Sequence, residues 1–261
     1  MYYASTVLAS LRVSVCTCIC VLVTGSASRA WTLALACQLD EAQAMLQRLQ
    51  YFLPQPDAYQ QRCLIGQALA LKAYLARAAG RLEEAMLCGH QALACLDDRE
   101  AGSRAMAMLT LADCELCGQR IEVARQWARS ALELAQRVAD PLLEAQAVLM
   151  RARLMQARGQ VARALQAVAG QRRLLAGMVY PQGLPVRARL TIYHGYLLGQ
   201  LGENDDAMEL LRQGIEEARD CRDVHVLPGY CLLAGMQAQR RGGDGFAFET
   251  LTEAERLMHP W

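Results

Sequence analysis

Ala73-Tyr74-Leu75-Ala76-Arg77-Ala78-Ala79-Gly80-Arg81-Leu82-Glu83-Glu84-Ala85 decides the fold of this chain. An apolar-periodic run ends at Ala79-Gly80 and a second opens at Arg81. Glycine suits the left-handed residue that closes a helix, and the acidic pair Glu83-Glu84 suits the N-terminus of the next one. Two antiparallel helices joined by a tight turn are the physical reading. Ala73 and Ala85 stand twelve positions apart, and small residues at a fixed spacing mark where two helices cross closely. The same spacing joins Ala30 to Ala42, Ala112 to Ala124, Ala152 to Ala164, Gly195 to Ala207 and Gly235 to Ala247. The six pairs recur at intervals of 39 to 43 residues, with turn positions Cys37, Gly80, Gln119, Gly159, Gly202 and Gly242 between their members. Self-similarity at one period is the signature of a repeat architecture.

The junctions between units carry the breakers: Pro54 and Pro56, the stretch from Asp97-Asp98 to Gly102, Pro141, Pro181 with Pro185, and Pro228. An interior helical proline costs about 3 kcal/mol, so these positions fence the helices. The spacing predicts helices over 57–79, 82–97, 102–117, 120–138, 141–158, 161–176, 186–201, 203–221, 227–241 and 246–258, after a less regular pair near 28–37 and 39–52. Alternating strand patterns do not compete, Val13 to Val23 aside, and the composition favours good helix formers. The expected fold is all-α: a right-handed α-solenoid of about five to six helix pairs with repeats of roughly 40 residues, spanning 28–258 as one superhelical domain.

Charge and motifs exclude several function classes. A net charge of +1 gives no basic field for nucleic acid. Of the 27 basic residues only Lys72 is a lysine, and it lies inside a helical pattern with no glycine loop before it, so no P-loop exists. Cys114-Glu115-Leu116-Cys117 has metal-type spacing without a second pair or a nearby histidine; residues three apart share a helix face, and both cysteines read as small core residues. The eleven cysteines are scattered and odd in number, which fits a reducing compartment better than a disulfide framework. His90, His194, His225 and His259 form no catalytic pattern with one another or with a nucleophile. Glu83-Glu84 and Asp205-Asp206 share a place at a helix start, where they complement the dipole. No catalytic residue, metal ligand or cofactor site is expected, and the chain is read as no enzyme.

Residues 1–27 form an apolar N-terminal segment. Its run from Val13 to Val23 is too short to span a bilayer, which needs roughly 20 residues. Its length and the small residues Gly25-Ser26-Ala27-Ser28 after it fit a secretory signal, while the single arginine before it and the many free thiols argue for retention in the cytoplasm.

Gly80-Arg81-Leu82-Glu83-Glu84-Ala85, with Ala73 before it and Ala92 after it, resembles a tetratricopeptide repeat, as does Gly202-Glu203-Asn204-Asp205-Asp206-Ala207 after Gly195. The longer period, together with Arg29-Ala30-Trp31-Thr32-Leu33-Ala34 and Leu39-Asp40-Glu41-Ala42, is similar to the superhelical region of MalT-like, large LuxR-family transcriptional regulators. That resemblance covers about residues 28 to 258. It implies a sensor region that binds an inducer or a regulatory protein, preceded by an ATPase and followed by a helix-turn-helix reader. Neither of those modules has a counterpart in this sequence, so ATP hydrolysis and DNA binding attach to no residue here. The chain is expected to be a fragment of such a regulator, a degraded or split gene product, or a free-standing repeat protein.

Three functions follow as expectations: the effector-binding region of a MalT-like regulator, a tetratricopeptide adaptor holding a protein or peptide in its groove, or an exported envelope repeat protein. The partner is a protein, a peptide or a small-molecule inducer. In stacked helix pairs the first helix of each pair lines the concave side. Positions thirteen, six and three before each turn should face that groove: Gln67, Tyr74, Arg77, Asp113, Gln146, Arg153, Gln156, Arg189, Tyr196 and Gln239. This stripe is polar with two aromatic platforms, and its arginines suit carboxylates, phosphates or sugar hydroxyls.

Overall fold

A computed structural model describes residues 29–30, 33–34, 39–52, 59–178, 184–221, 223, 226–239 and 243–258, and all regular structure among them is helical. Among the described residues eleven α-helices have both ends defined: α1 (Leu39–Phe52), α2 (Tyr59–Ala78), α3 (Leu82–Cys95), α4 (Ala101–Cys117), α5 (Ile121–Arg137), α6 (Pro141–Ala157), α7 (Val161–Leu175), α8 (Pro185–Gln200), α9 (Asn204–Asp220), α10 (Val226–Ala238) and α11 (Asp244–Met258). A short 3₁₀ turn, Asp98–Glu100, precedes α4. The chain divides into two compact units, one ending at Cys114 and one beginning at Glu115, so the divide falls inside α4. No described helix is long and apolar enough to cross a membrane. The segment Val13 to Val23, its signal reading, and the turn positions Cys37 and Gly242 lie outside the described residues.

The turns follow from backbone geometry. Gly80, Gly159 and Gly202 adopt φ of 76°, 73° and 86°. At each, the following amide bonds back across the helix end: Arg81 N to Ala76 O at 2.9 Å, Gln160 N to Met155 O at 2.9 Å, Glu203 N to Leu198 O at 3.1 Å. This is the Schellman closure, which satisfies carbonyls the last turn leaves orphaned. Gln119 fills the equivalent place at φ 59° without being glycine, and Arg120 N still reaches Glu115 O at 2.9 Å. Between pairs, the Asp140 carboxylate caps α6 by accepting from the amides of Leu142 and Leu143. Pro141 and Pro185 open their helices, and Pro228 is the third residue of α10, so the prolines fall where no intrahelical N–H is lost.

The small pairs sit at the core. Ala30, Ala42, Ala73, Ala85, Ala112, Ala124, Ala152, Ala164 and Ala207 are all fully buried. In the first unit Ala85 packs with Ala76 and Cys114. In the second, Ala152 and Ala164 join Val168, Leu175, Leu190 and Leu197 in one cluster, and Met208, Leu211 and Ile215 join Tyr230 and Leu233 in another. The last small pair departs from the pattern. Gly235 is exposed and a Cβ on it would meet nothing within 4 Å, while its neighbour Ala234 is buried. The inward position of α10 is therefore one residue earlier than the repeat spacing predicts. Cys114 is buried, but Cys117 is exposed rather than in the core, because three residues advance a helix by 300° and leave it at the edge of that face.

Candidate functional site

In the first unit the expected groove residues are engaged with one another and with nearby chain. Gln67 on α2 donates to Glu100 at 2.5 Å. Arg77 on α2 and Asp113 on α4 form a half-buried ion pair at 2.8 Å. Tyr74 is partly buried against a cluster that includes Leu64, Leu71 and Leu75.

In the second unit, α6 and α8 carry most of the stripe. Gln146, Arg153 and Gln156 on α6 and Tyr196 on α8 are all half-buried. Gln156 donates to the Tyr196 hydroxyl at 3.4 Å, and Gln200, one turn further along α8, donates to it at 2.8 Å. The structure thus brings Gln156 and Tyr196 together across one repeat. Arg153 lies 3.9 Å from the Met150 sulfur. Arg189 is instead buried in an ion pair with Asp223 at 2.6 Å, whose carboxylate is fully enclosed. Gln239 stands exposed in the turn that follows α10, and no described contact joins it to the others.

Tyr193 is the residue of this face that the turn-based spacing passed over. Its ring lies 5.7 Å from that of Tyr196, tilted by 39°. Its hydroxyl is buried with no hydrogen-bond partner among the described residues. Burial pushes the phenol far above its usual range, with the nearby Arg153 cation pulling the other way. The signal was available in the sequence: Tyr193 precedes Tyr196 by three, which places both on one side of a helix.

A separate cleft of about 550 Å³ opens between α7, α8 and α9, lined by Arg172, Arg173, Arg187, Thr191, His194, Gln213 and Glu217 among others. Its residues belong to three helices and show no motif in one dimension. Among the described residues, no group of three or more His, Cys, Asp or Glu is placed to hold a metal ion.

No protein-family model matches the sequence, and no curated protein matches it. Solved structures do resemble its fold. A Rap protein complexed with Competence and Sporulation Factor superposes with a TM-score of 0.66 at 12% identity, over 90% of this chain and 76% of that one. The apo form of RapI gives 0.62 at 11% identity, over 91% and 83%. A signal transduction ATPase with numerous domains and a tetratricopeptide repeat sensor, from Pyrococcus horikoshii, gives 0.51 at 13% identity, over 93% of this chain and 37% of that one. At such identities the likeness concerns the fold alone. The chain is a tetratricopeptide-like α-helical repeat protein.

Proposed function

We propose that this chain is a non-catalytic interaction module that holds a peptide or extended protein segment against α6 and α8, through Arg153, Gln156, Tyr193 and Tyr196. The observation that carries the reading is the Tyr193 hydroxyl, buried and unpartnered beside a cation. An unmet buried polar group costs roughly 1–3 kcal/mol, and the backbone of an extended ligand supplies amide donors and carbonyl acceptors at regular spacing. Tyr193 and Tyr196 add apolar area at small conformational cost, as aromatic anchors do in protein interfaces. The Rap neighbour, solved with a competence and sporulation factor, is a precedent for this fold carrying a bound factor.

Within that role, the sensor region of a MalT-like regulator is the finer reading, supported by the 39–43-residue period and the helix-pair pattern; its ligand would be an inducer or a regulatory protein. The scattered cysteines, with Cys117 and Cys231 exposed, favour work in a reducing cytoplasm.

Capture from native cytosol with the purified full chain, read by mass spectrometry of proteins and small molecules, tests the assignment. Gln156→Ala and Tyr196→Ala should each lose the captured species with unchanged circular dichroism, whereas Arg129→Ala, exposed on α5, should retain it. Retention by both α6/α8 variants would refute the face assigned.

A further inference from the structure

The cleft between α7, α8 and α9 lies on the other side of α8 from the tyrosines. Arg187, Thr191 and His194 each stand two residues from Arg189, Tyr193 and Tyr196, about 200° around the helix. At about 550 Å³, the cleft falls in the range of roughly 300–1,000 Å³ that small-molecule sites occupy.

Its polar groups form a closed ring of hydrogen bonds. Arg172 Nε donates to the Thr191 hydroxyl at 3.1 Å, and Arg172 Nη2 donates to Gln213 Oε1 at 3.3 Å. Gln213 Nε2 donates to Glu217 Oε1 at 3.0 Å. The Thr191 hydroxyl lies 2.9 Å from Glu217 Oε2 and 3.0 Å from the Arg187 carbonyl, and its one proton serves one of them at a time. Arg172 Nη1 meets His194 Nδ1 at 2.9 Å. A guanidinium only donates, so Nδ1 accepts and the imidazole carries its proton on Nε2.

The ring leaves cationic donors over. Arg172 is half-buried, yet its three hydrogen bonds go to neutral acceptors, and two of its five N–H groups remain. Among the described residues no carboxylate forms an ion pair with it. Arg187 Nε is buried without a hydrogen-bond partner, its nearest anionic contact being Glu217 Oε1 at 3.8 Å. Arg173 stands exposed at the rim. Three guanidiniums thus face one carboxylate that Thr191 and Gln213 already engage, and the cleft carries a surplus of two positive charges.

We propose that this cleft binds a small phosphate monoester, its dianionic phosphoryl group held by Arg172, Arg173 and Arg187 and by the Nε2–H of His194. A dianion balances the surplus, and forked guanidinium donors match phosphoryl oxygens in pairs. The volume exceeds what one phosphate fills, which leaves room for the organic part beside Ala169 and Ala176. The site is independent of the α6/α8 face and stands whether or not that face binds a peptide. A polar clamp that only ties three helices together would need Arg172, Thr191, Gln213 and Glu217, but neither Arg173 nor the unpartnered Nε of Arg187.

The test is an NMR titration of the full chain, following the His194 ring resonance assigned with a His194→Gln variant. Inorganic phosphate, ribose 5-phosphate and sodium chloride are added at constant ionic strength. Both phosphates should give saturable shifts, ribose 5-phosphate the tighter, and Arg173→Ala should weaken each roughly tenfold with circular dichroism unchanged. A shift that chloride reproduces, or an affinity in Arg173→Ala and Arg187→Ala unchanged from that of the parent chain, overturns the site. Equal affinity for the two phosphates overturns the monoester, and saturation by a phosphoserine peptide alone overturns the small-molecule assignment.

Discussion

A Cβ built on Gly195 would stand 2.8 Å from the carbonyl oxygen of Ala207, twelve residues later in the chain. Two of the three nearest atoms are backbone, for the Leu211 amide nitrogen stands at 3.1 Å beside the Leu211 Cγ at 3.0 Å. The crossing of α8 and α9 is closed by the absence of a side chain. Gly195→Ala should therefore destabilise by roughly 1–3 kcal/mol. Gly235→Ala, at the equivalent repeat position but with open space around it, should be neutral or stabilising by up to about 1 kcal/mol. Urea midpoints of the two variants decide it; a loss at Gly235 as large as at Gly195 would contradict the one-residue shift in α10.

The same logic extends to alanine. Ala164 is fully buried among Val168, Leu175 and Leu190, whereas Glu133 on α5 is exposed. Ala164→Leu should overpack the crossing at a cost of about 1–3 kcal/mol, and Glu133→Leu should change the urea midpoint little. Equal midpoints would remove the basis for the repeat register.

The turns offer opposite signs at equivalent places. Gly159 holds φ 73°, so Gly159→Ala should cost about 1–2 kcal/mol, the penalty for a Cβ in the left-handed region. Gln119 already bears that penalty at φ 59°. Gln119→Gly should accordingly raise the thermal midpoint, and a fall would show that the glutamine side chain contributes a contact that outweighs its strain.

Arg189 and Asp223 form a buried pair, and removing one partner leaves an uncompensated charge. Asp223→Ala should destabilise by about 3–5 kcal/mol, and pairing it with Arg189→Met should recover part of the loss. Denaturant unfolding of the single and double variants checks both statements; a double variant worse than the single would rule out the uncompensated charge as the cause.

His194 makes stability depend on pH. Burial, and then the Arg172 charge, lower its pKa from an ordinary value of 6.5 to about 4. The groups around it are Arg172 and Arg173 on α7, Arg187 on α8, and Gln213 and Glu217 on α9. As pH falls below about 6.5 the unfolded chain takes a proton that the folded chain declines. Its contribution is thus complete above that pH and is lost progressively toward pH 4. Stability of the parent chain should fall more steeply between pH 6.5 and 4 than that of His194→Gln. Parallel slopes would place the imidazole in a more solvated setting.

Much of the fold could be read in one dimension because helix closure is local. Gly80, Gly159 and Gly202 announce their turns by residue type, and a period of about 40 needs only counting. Gln119 was found by register alone, since nothing in its chemistry favours φ above zero. The sites were less legible. Gln156 and Tyr196 meet across one repeat and so follow from the period. Arg189 stands at the register position of Gln146, thirteen before its turn, but found Asp223, 34 residues away in a connection between helices, and no periodic rule places such a partner. The arginine cleft draws on three helices, and its donors gain meaning only once Thr191, Gln213 and Glu217 stand between them.

The central claim is that the α6/α8 face of the second unit receives the partner. Amide hydrogen exchange of the full chain with its captured partner reads this directly. The account predicts added protection along residues 146–157 and 193–200, with residues 121–137 unchanged. Protection confined to 121–137, with the two tyrosines and Gln156 exchanging as in the free chain, would contradict it.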